Sequence, residues 1–71
     1  KGTVLIGEIG LGGQLRPVKQ IPQRIQEAIR LGFVRAVIPK GSNKNDLKEN
    51  LIIELLEASN LNEALEQALS I

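Results

Sequence analysis

A block of twelve residues, Gly7-Glu8-Ile9-Gly10-Leu11-Gly12-Gly13-Gln14-Leu15-Arg16-Pro17-Val18, holds four of the seven glycines of this 71-residue chain. Glycine at that density rules out a helix, because each interior glycine costs about 1 kcal/mol relative to alanine, and it weakens a regular strand too. What it suits is a reversal. Short apolar positions alternate with glycine, and Gly12-Gly13 fits a tight connection that needs positive φ. The expectation is a β-hairpin over residues 3–18, with Thr3-Val4-Leu5-Ile6 leading in and Leu15 to Val18 returning antiparallel to it. Pro17 offers no N–H and belongs at a strand end or edge.

Beyond the block the period changes. Ile21, Ile25, Ala28 and Ile29 recur at helical spacing, which predicts an amphipathic helix over residues 21–31. Pro22 fits its first position and Gly32 the left-handed position that ends it. Arg35-Ala36-Val37-Ile38-Pro39 then reads as a buried strand over 34–39, so the helix connects strands in a βαβ-type unit with a right-handed crossover. Residues 40–50 are polar and read as a connecting loop, with one helical turn within 46–49. The run 51–56 suits helix or strand by composition. Asn60-Leu61-Asn62-Glu63 has the spacing of a capping box and starts a separate helix over 61–70, so 51–56 is assigned to a strand parallel to the preceding one. The expected class is α/β (α+β), a hairpin followed by βαβ-type elements in a single domain.

Composition removes several functions. Phe33 is the single aromatic residue, so the core must be aliphatic and base stacking on aromatic rings is excluded. There is no cysteine and no histidine, hence no disulfide, no Cys/His zinc site and no Ser-His-Asp or Cys-His nucleophile. A formal charge of +1 gives no long-range field, so phosphate binding would need a local cluster of bases. No apolar run nears the roughly 18 residues of a membrane span. The expectation is a cytoplasmic protein without a membrane partner. A start without methionine that enters an apolar run at once adds the expectation of a carboxy-terminal portion of a longer protein.

Four constellations bear on chemistry. The glycine block lacks a Gly-Lys-Ser/Thr ending and the G-x-G-x-x-G spacing between strand and helix, so it reads as hairpin and not as phosphate cradle. Glu8 as a general base has no partner fixed by spacing in Glu54 or Asp46, and a solvated acid is the simpler reading. A Ser–Lys dyad stays formally open through Ser42, Ser59 and Ser70, although loop, cap and terminal positions account for all three. Arg16, Lys19, Arg24 and Arg30 form either a patch that contacts phosphates or a solvated helix face balanced by Glu27.

The block, followed by Gln23-Arg24-Ile25-Gln26-Glu27-Ala28-Ile29-Arg30-Leu31-Gly32-Phe33-Val34-Arg35-Ala36-Val37-Ile38-Pro39-Lys40, resembles the carboxy-terminal domain of the bacterial DNA-repair ATPase family RadA, also called Sms. That domain is similar in fold to the proteolytic domain of Lon protease. The shared pattern is Gly7-Glu8-Ile9, a turn glycine at Gly13, Pro17-Val18, a helix to Gly32, and Ile38-Pro39-Lys40; Arg16 before Pro17, Gln23-Arg24 and Gly32-Phe33 lean toward RadA. The resemblance covers residues 4–40 closely and the remainder in pattern. It implies the carboxy-terminal half of a Lon-protease-like domain, with Gly7, Glu8, Gly12, Gly13, Pro17 and Gly32 as its structural motif.

Pro22 occupies the position where Lon proteases carry the lysine of their Ser–Lys dyad, and proline has no amine to take a proton. The resemblance therefore implies a noncatalytic scaffold for self-association in DNA repair and recombination, with contact to the DNA backbone through Arg16, Lys19, Arg24 and Arg30. It implies no cofactor in this chain. ATP, magnesium and zinc belong to a full-length parent, whose RecA-like ATPase core would be a further partner. The family's additional strands have no counterpart here, which implies an apolar edge that pairs with another chain. The alternatives are a Lon-type Ser–Lys peptidase fragment completed by another chain, with Lys19 as the base, and a purely structural dimerisation module.

Overall fold

A computed structural model describes residues 2–42 and 52–69. In chain order the elements are β1 (Thr3–Leu5), β2 (Glu8–Ile9), β3 (Leu15–Arg16), α1 (Ile21–Arg30), β4 (Arg35–Pro39), β5 (Glu54–Ala58) and α2 (Leu61–Leu69). The fold is mixed α/β. β1, β4 and β5 make a parallel sheet with β4 in the middle, while β2 and β3 form a separate antiparallel pair.

β4 explains the layering. Its side chains alternate between the two faces of the sheet, and both faces are covered, which is why the strand reads as an unbroken apolar run. Ala36 and Ile38 join Ile6, Ile21, Ile25, Ala28 and Ile53 in a cluster under α1. Val37 points the other way, into a smaller cluster with Leu15, Ala58 and Ala64. One face of the sheet thus carries α1, and the other carries α2 together with the hairpin strand β3.

The hairpin differs from the expected 3–18 element. Thr3–Leu5 does not pair back on Leu15 to Val18; it runs parallel to β4, in register Thr3↔Arg35, Val4↔Ala36 and Leu5↔Val37. The antiparallel pairing is limited to Glu8↔Arg16 and Ile9↔Leu15. Burial is the reason: beside β4, Val4 packs into the α1 cluster, a partner that an isolated two-stranded hairpin could not offer. Of the Gly12-Gly13 pair only Gly13 has positive φ, at 86°, and the turn closes through Gly10 N–H to Gln14 O at 2.8 Å. Gly7 serves a different purpose. A Cβ there would stand 3.0 Å from Leu15 Cδ1 and 3.1 Å from Pro39 Cγ, so its absence lets the hairpin base close onto β3 and the end of β4.

The helices follow local chemistry. α1 buries Ile21, Ile25 and Ala28 and ends in a Schellman motif: Gly32 at φ 94°, with Phe33 N–H donating to Ala28 O and Gly32 N–H to Ile29 O, both at 3.0 Å. Pro22 is the second helical residue, one later than expected, where an N–H would still lack an intrahelical acceptor. The residue before α1, Gln20, is left-handed at φ 63°, and nothing in its chemistry announces that. α2 starts at the Asn60 cap, whose Oδ1 accepts from Glu63 N–H at 2.8 Å. Glu63 reaches back one residue beyond the cap, accepting from Ser59 N–H at 2.6 Å and Ser59 Oγ at 2.8 Å.

β5 lies at Glu54–Ala58 in place of the expected 51–56. The shift sets Glu54 opposite Arg35, where the two side chains pair at 3.1 Å, and puts the small Ala58 under α2 beside Ala64. Most of the expected 40–50 loop, including the turn at 46–49, lies outside the described residues, as do residue 51 and the expected end of α2 at residue 70.

Candidate nucleic-acid interface

The four bases named from the sequence end up in three places. Arg16 is on β3, opposite Glu8, and its guanidinium folds over Gly10, where a Cβ would meet Nη2 at 3.1 Å. Lys19 is exposed in the turn before α1. Arg24 bends back over that turn, its Nε donating to Lys19 O at 3.0 Å. Arg30 Nη2 is bound to Glu27 Oε1 at 2.6 Å near the end of α1.

Helix geometry explains the separation. Arg24, Glu27 and Arg30 are three residues apart, each about 60° further round the helix and about 4.5 Å further along it. The acid therefore sits between the two bases, and the expected patch is divided. Lys19 and Arg24 are brought together at the start of α1, whereas Arg30 is half-neutralised at the far end.

The start of α1 is electropositive for two further reasons. Gln20 contributes no side-chain cap, and no acidic residue lies in the first turn, so the positive end of the helix dipole faces solvent beside both cations. The αL turn at Gln20 is what sequence reasoning missed here, because glutamine carries none of the preference for positive φ seen in glycine or asparagine. The sequence reading placed all four bases in one patch, although the spacing of Arg24, Glu27 and Arg30 that divides it needs no coordinates.

The remaining polar groups are structural. Glu8 is exposed on β2, opposite Arg16. Ser42 Oγ donates to Pro39 O at 2.7 Å, Ser59 is committed to Glu63, and Ser70 lies outside the described residues. The N–H and hydroxyl of Ser59, with attraction from Lys40, hold the Glu63 carboxyl below the ordinary range. Pro22 is half-buried at the base of α1. Among the described residues no group of three acidic, cysteine or histidine side chains gathers as a metal site, and no helix is long and apolar enough to cross a membrane.

Comparison with known proteins adds the context. DNA repair protein RadA of Listeria monocytogenes is 44% identical over 64 residues, 90% of this chain. The chain matches a segment of RadA. The RadA of Halalkalibacterium halodurans is 44% identical over 93% of the chain, and that of Synechocystis is 58% identical over a shorter stretch of 54%. The chain spans about 14% of the length of the first two RadA relatives and 8% of the third. A match over nine-tenths of the chain takes in both α1 and β4. No family model matches.

Proposed function

We propose that this chain is a noncatalytic, Lon-like scaffold portion of a RadA-type DNA-repair protein, which self-associates and touches the DNA backbone through the start of α1. The observation that carries the reading is the similarity to DNA repair protein RadA across nine-tenths of the chain. Nucleotide hydrolysis, with its magnesium and any zinc motif, would reside in parts of a parent protein beyond this segment.

Pro22 supports the noncatalytic half. At the place where a Lon-type peptidase would present its lysine, the second residue of α1 is a proline, which can neither accept a serine proton nor hold the nucleophile. Lys19 is a poor substitute, because it stands before the helix, across the left-handed Gln20, and is exposed to solvent.

For the DNA half, Lys19 and Arg24 are the pair best placed to meet a phosphate, with the start of α1 between them. Arg16 would extend the contact along the hairpin, and Arg30 would contribute least because Glu27 already holds it. The test is duplex binding as a function of salt. Each phosphate contact adds about 0.9 to the slope of log affinity against log salt, so Lys19→Ala with Arg24→Ala should weaken binding and reduce the slope by about 2, and Arg30→Ala should do much less. Absence of binding by the parent sequence at low salt would reject the DNA half and leave the scaffold reading standing.

A further inference from the structure

The turn of the glycine hairpin carries an apolar side chain that contributes nothing to the core. Leu11 is 110% exposed, more than any other large apolar residue described, and Gly10 and Gly12 on either side of it bring no Cβ that could shield it. Its mounting is firm. Gly10 N–H donates to Gln14 O at 2.8 Å and Gly13 N–H to Gly10 O at 3.0 Å, while Gly13 O accepts from Leu61 N–H at 2.8 Å and Leu15 N–H donates to Ser59 O at 3.0 Å. The turn is thereby closed on itself and anchored on the start of α2. A singly exposed leucine needs no explanation in general; the company of this one is what points to a ligand.

Leu15 points inward and is buried with Val37, Ala58 and Ala64, so alternation puts its neighbours Gln14 and Arg16 on the outward face. Both are exposed. Both also fold forward over the glycines: a Cβ at Gly10 would stand 2.7 Å from Gln14 Oε1 and 3.1 Å from Arg16 Nη2, and one at Gly12 would stand 3.3 Å from Gln14 Nε2. Glu8, the acid opposite Arg16, stays at the base of the hairpin. The tip thus presents an aliphatic wedge flanked by an amide and a guanidinium. That is the side-chain set with which minor-groove proteins part a base step and read the groove beside it. Phe33, the single aromatic residue of the chain, is packed against the α1 cluster and does not offer a ring for stacking.

We propose that the hairpin turn is a wedge for the minor groove of duplex DNA, with Leu11 entering a base step, Gln14 meeting the groove edge and Arg16 the adjacent backbone. The proposal rests on the DNA half of the reading above and adds to it a contact with the bases, which Lys19 and Arg24 do not supply. Arg16 leads along the chain to Lys19, so the wedge and the start of α1 are successive parts of one segment. A wedge must part stacked bases, which favours the easily unstacked pyrimidine–purine steps. In the minor groove the guanine amino group projects into the space that an aliphatic side chain would fill, so A·T steps are favoured over G·C.

The test is binding of the 71-residue chain to a duplex that carries a fluorescent adenine analogue at a central thymine–adenine step, where the analogue brightens on leaving the stack. The expected result is a rise in fluorescence on binding that is lost in Leu11→Ala, while the salt dependence of binding keeps its slope, because leucine meets no phosphate. Arg16→Ala should lower that slope by about 0.9 and keep part of the rise. Gln14→Ala should narrow the preference for A·T over G·C steps. Leu11 supports no packing, so Leu11→Ala should keep the thermal transition of the unaltered chain; should it fail to fold, Leu11→Gln, of similar length but polar, gives the same readout. Binding without a rise, or a rise that survives the Leu11 substitution, overturns the wedge and leaves the backbone contact standing. Absence of binding at low salt overturns the DNA reading and the wedge with it.

Discussion

The two helices lie on opposite faces of one sheet and are held there by different means. α1 is fastened by area: Ile25 is 0% exposed and lies in an aliphatic cluster with Ile6, Ile21, Ile38 and Ile53. Its start, however, is poorly made, with a left-handed Gln20 and no side-chain cap. α2 is the reverse. It buries only Ala64 and leaves Leu65 and Leu69 exposed, yet its start is bound by Asn60, by Glu63, and by Leu61 N–H donating to Gly13 O of the hairpin turn at 2.8 Å.

Magnitudes show why each arrangement survives. A buried isoleucine is worth about 1.5–3 kcal/mol, enough to offset the roughly 1–2 kcal/mol of a non-glycine residue in the left-handed region. A helix that buries one alanine has no such reserve, and a good cap at about 1 kcal/mol is a large share of what holds it. The glycine hairpin enters this balance directly. Through Leu15 N–H to Ser59 O at 3.0 Å and Gly13 O to Leu61, it supplies part of the α2 start from a segment distant in sequence.

The largest test of this contrast is at Ile25. Ile25→Ala should lower stability by about 2–5 kcal/mol in urea denaturation, whereas Ala64→Gly on α2 should cost about 1 kcal/mol; equal losses would end the distinction between the faces. Asn60→Ala comes next, with an expected loss of about 1 kcal/mol and fraying of α2 visible by hydrogen exchange before α1 opens. The cap should also respond to acid. Ser59 and Lys40 hold the Glu63 carboxyl below its ordinary value of 4.5, so its contribution is present above the unfolded-state value and is lost as pH falls through the folded one. Glu63→Gln should flatten the acid limb of the stability profile, and an unchanged limb would remove Glu63 from the account. The smallest effect is at the other helix start, where Gln20→Gly should raise the unfolding free energy by about 0.5 kcal/mol by relieving the left-handed conformation.

Local signals account for what was readable. The face of Ile21, Ile25 and Ala28, the Gly32 stop and the Asn60 start all depend on residues within a few positions of one another, and all are visible as spacing. The Lys19, Arg24, Glu27 and Arg30 order was visible for the same reason. What escaped was nonlocal or chemically silent: the αL turn at Gln20, the three-residue displacement of β5 onto Glu54–Ala58, and the docking of the hairpin turn on the start of α2.

By itself, the sequence determined the two helices, the reversal at Gly13 and an aliphatic core, because periodicity, capping and glycine conformation act over one or two turns of chain. Only the tertiary structure decided the partners of the strands. Thr3–Leu5 was expected to fold back on Leu15 to Val18 and lies beside β4 instead, since its apolar residues favour burial without specifying against what. The choice falls to whichever neighbour can cover Val4, and that neighbour arrives more than thirty residues later, at Ala36. The same event leaves the glycine block as a short arm between the sheet and α2.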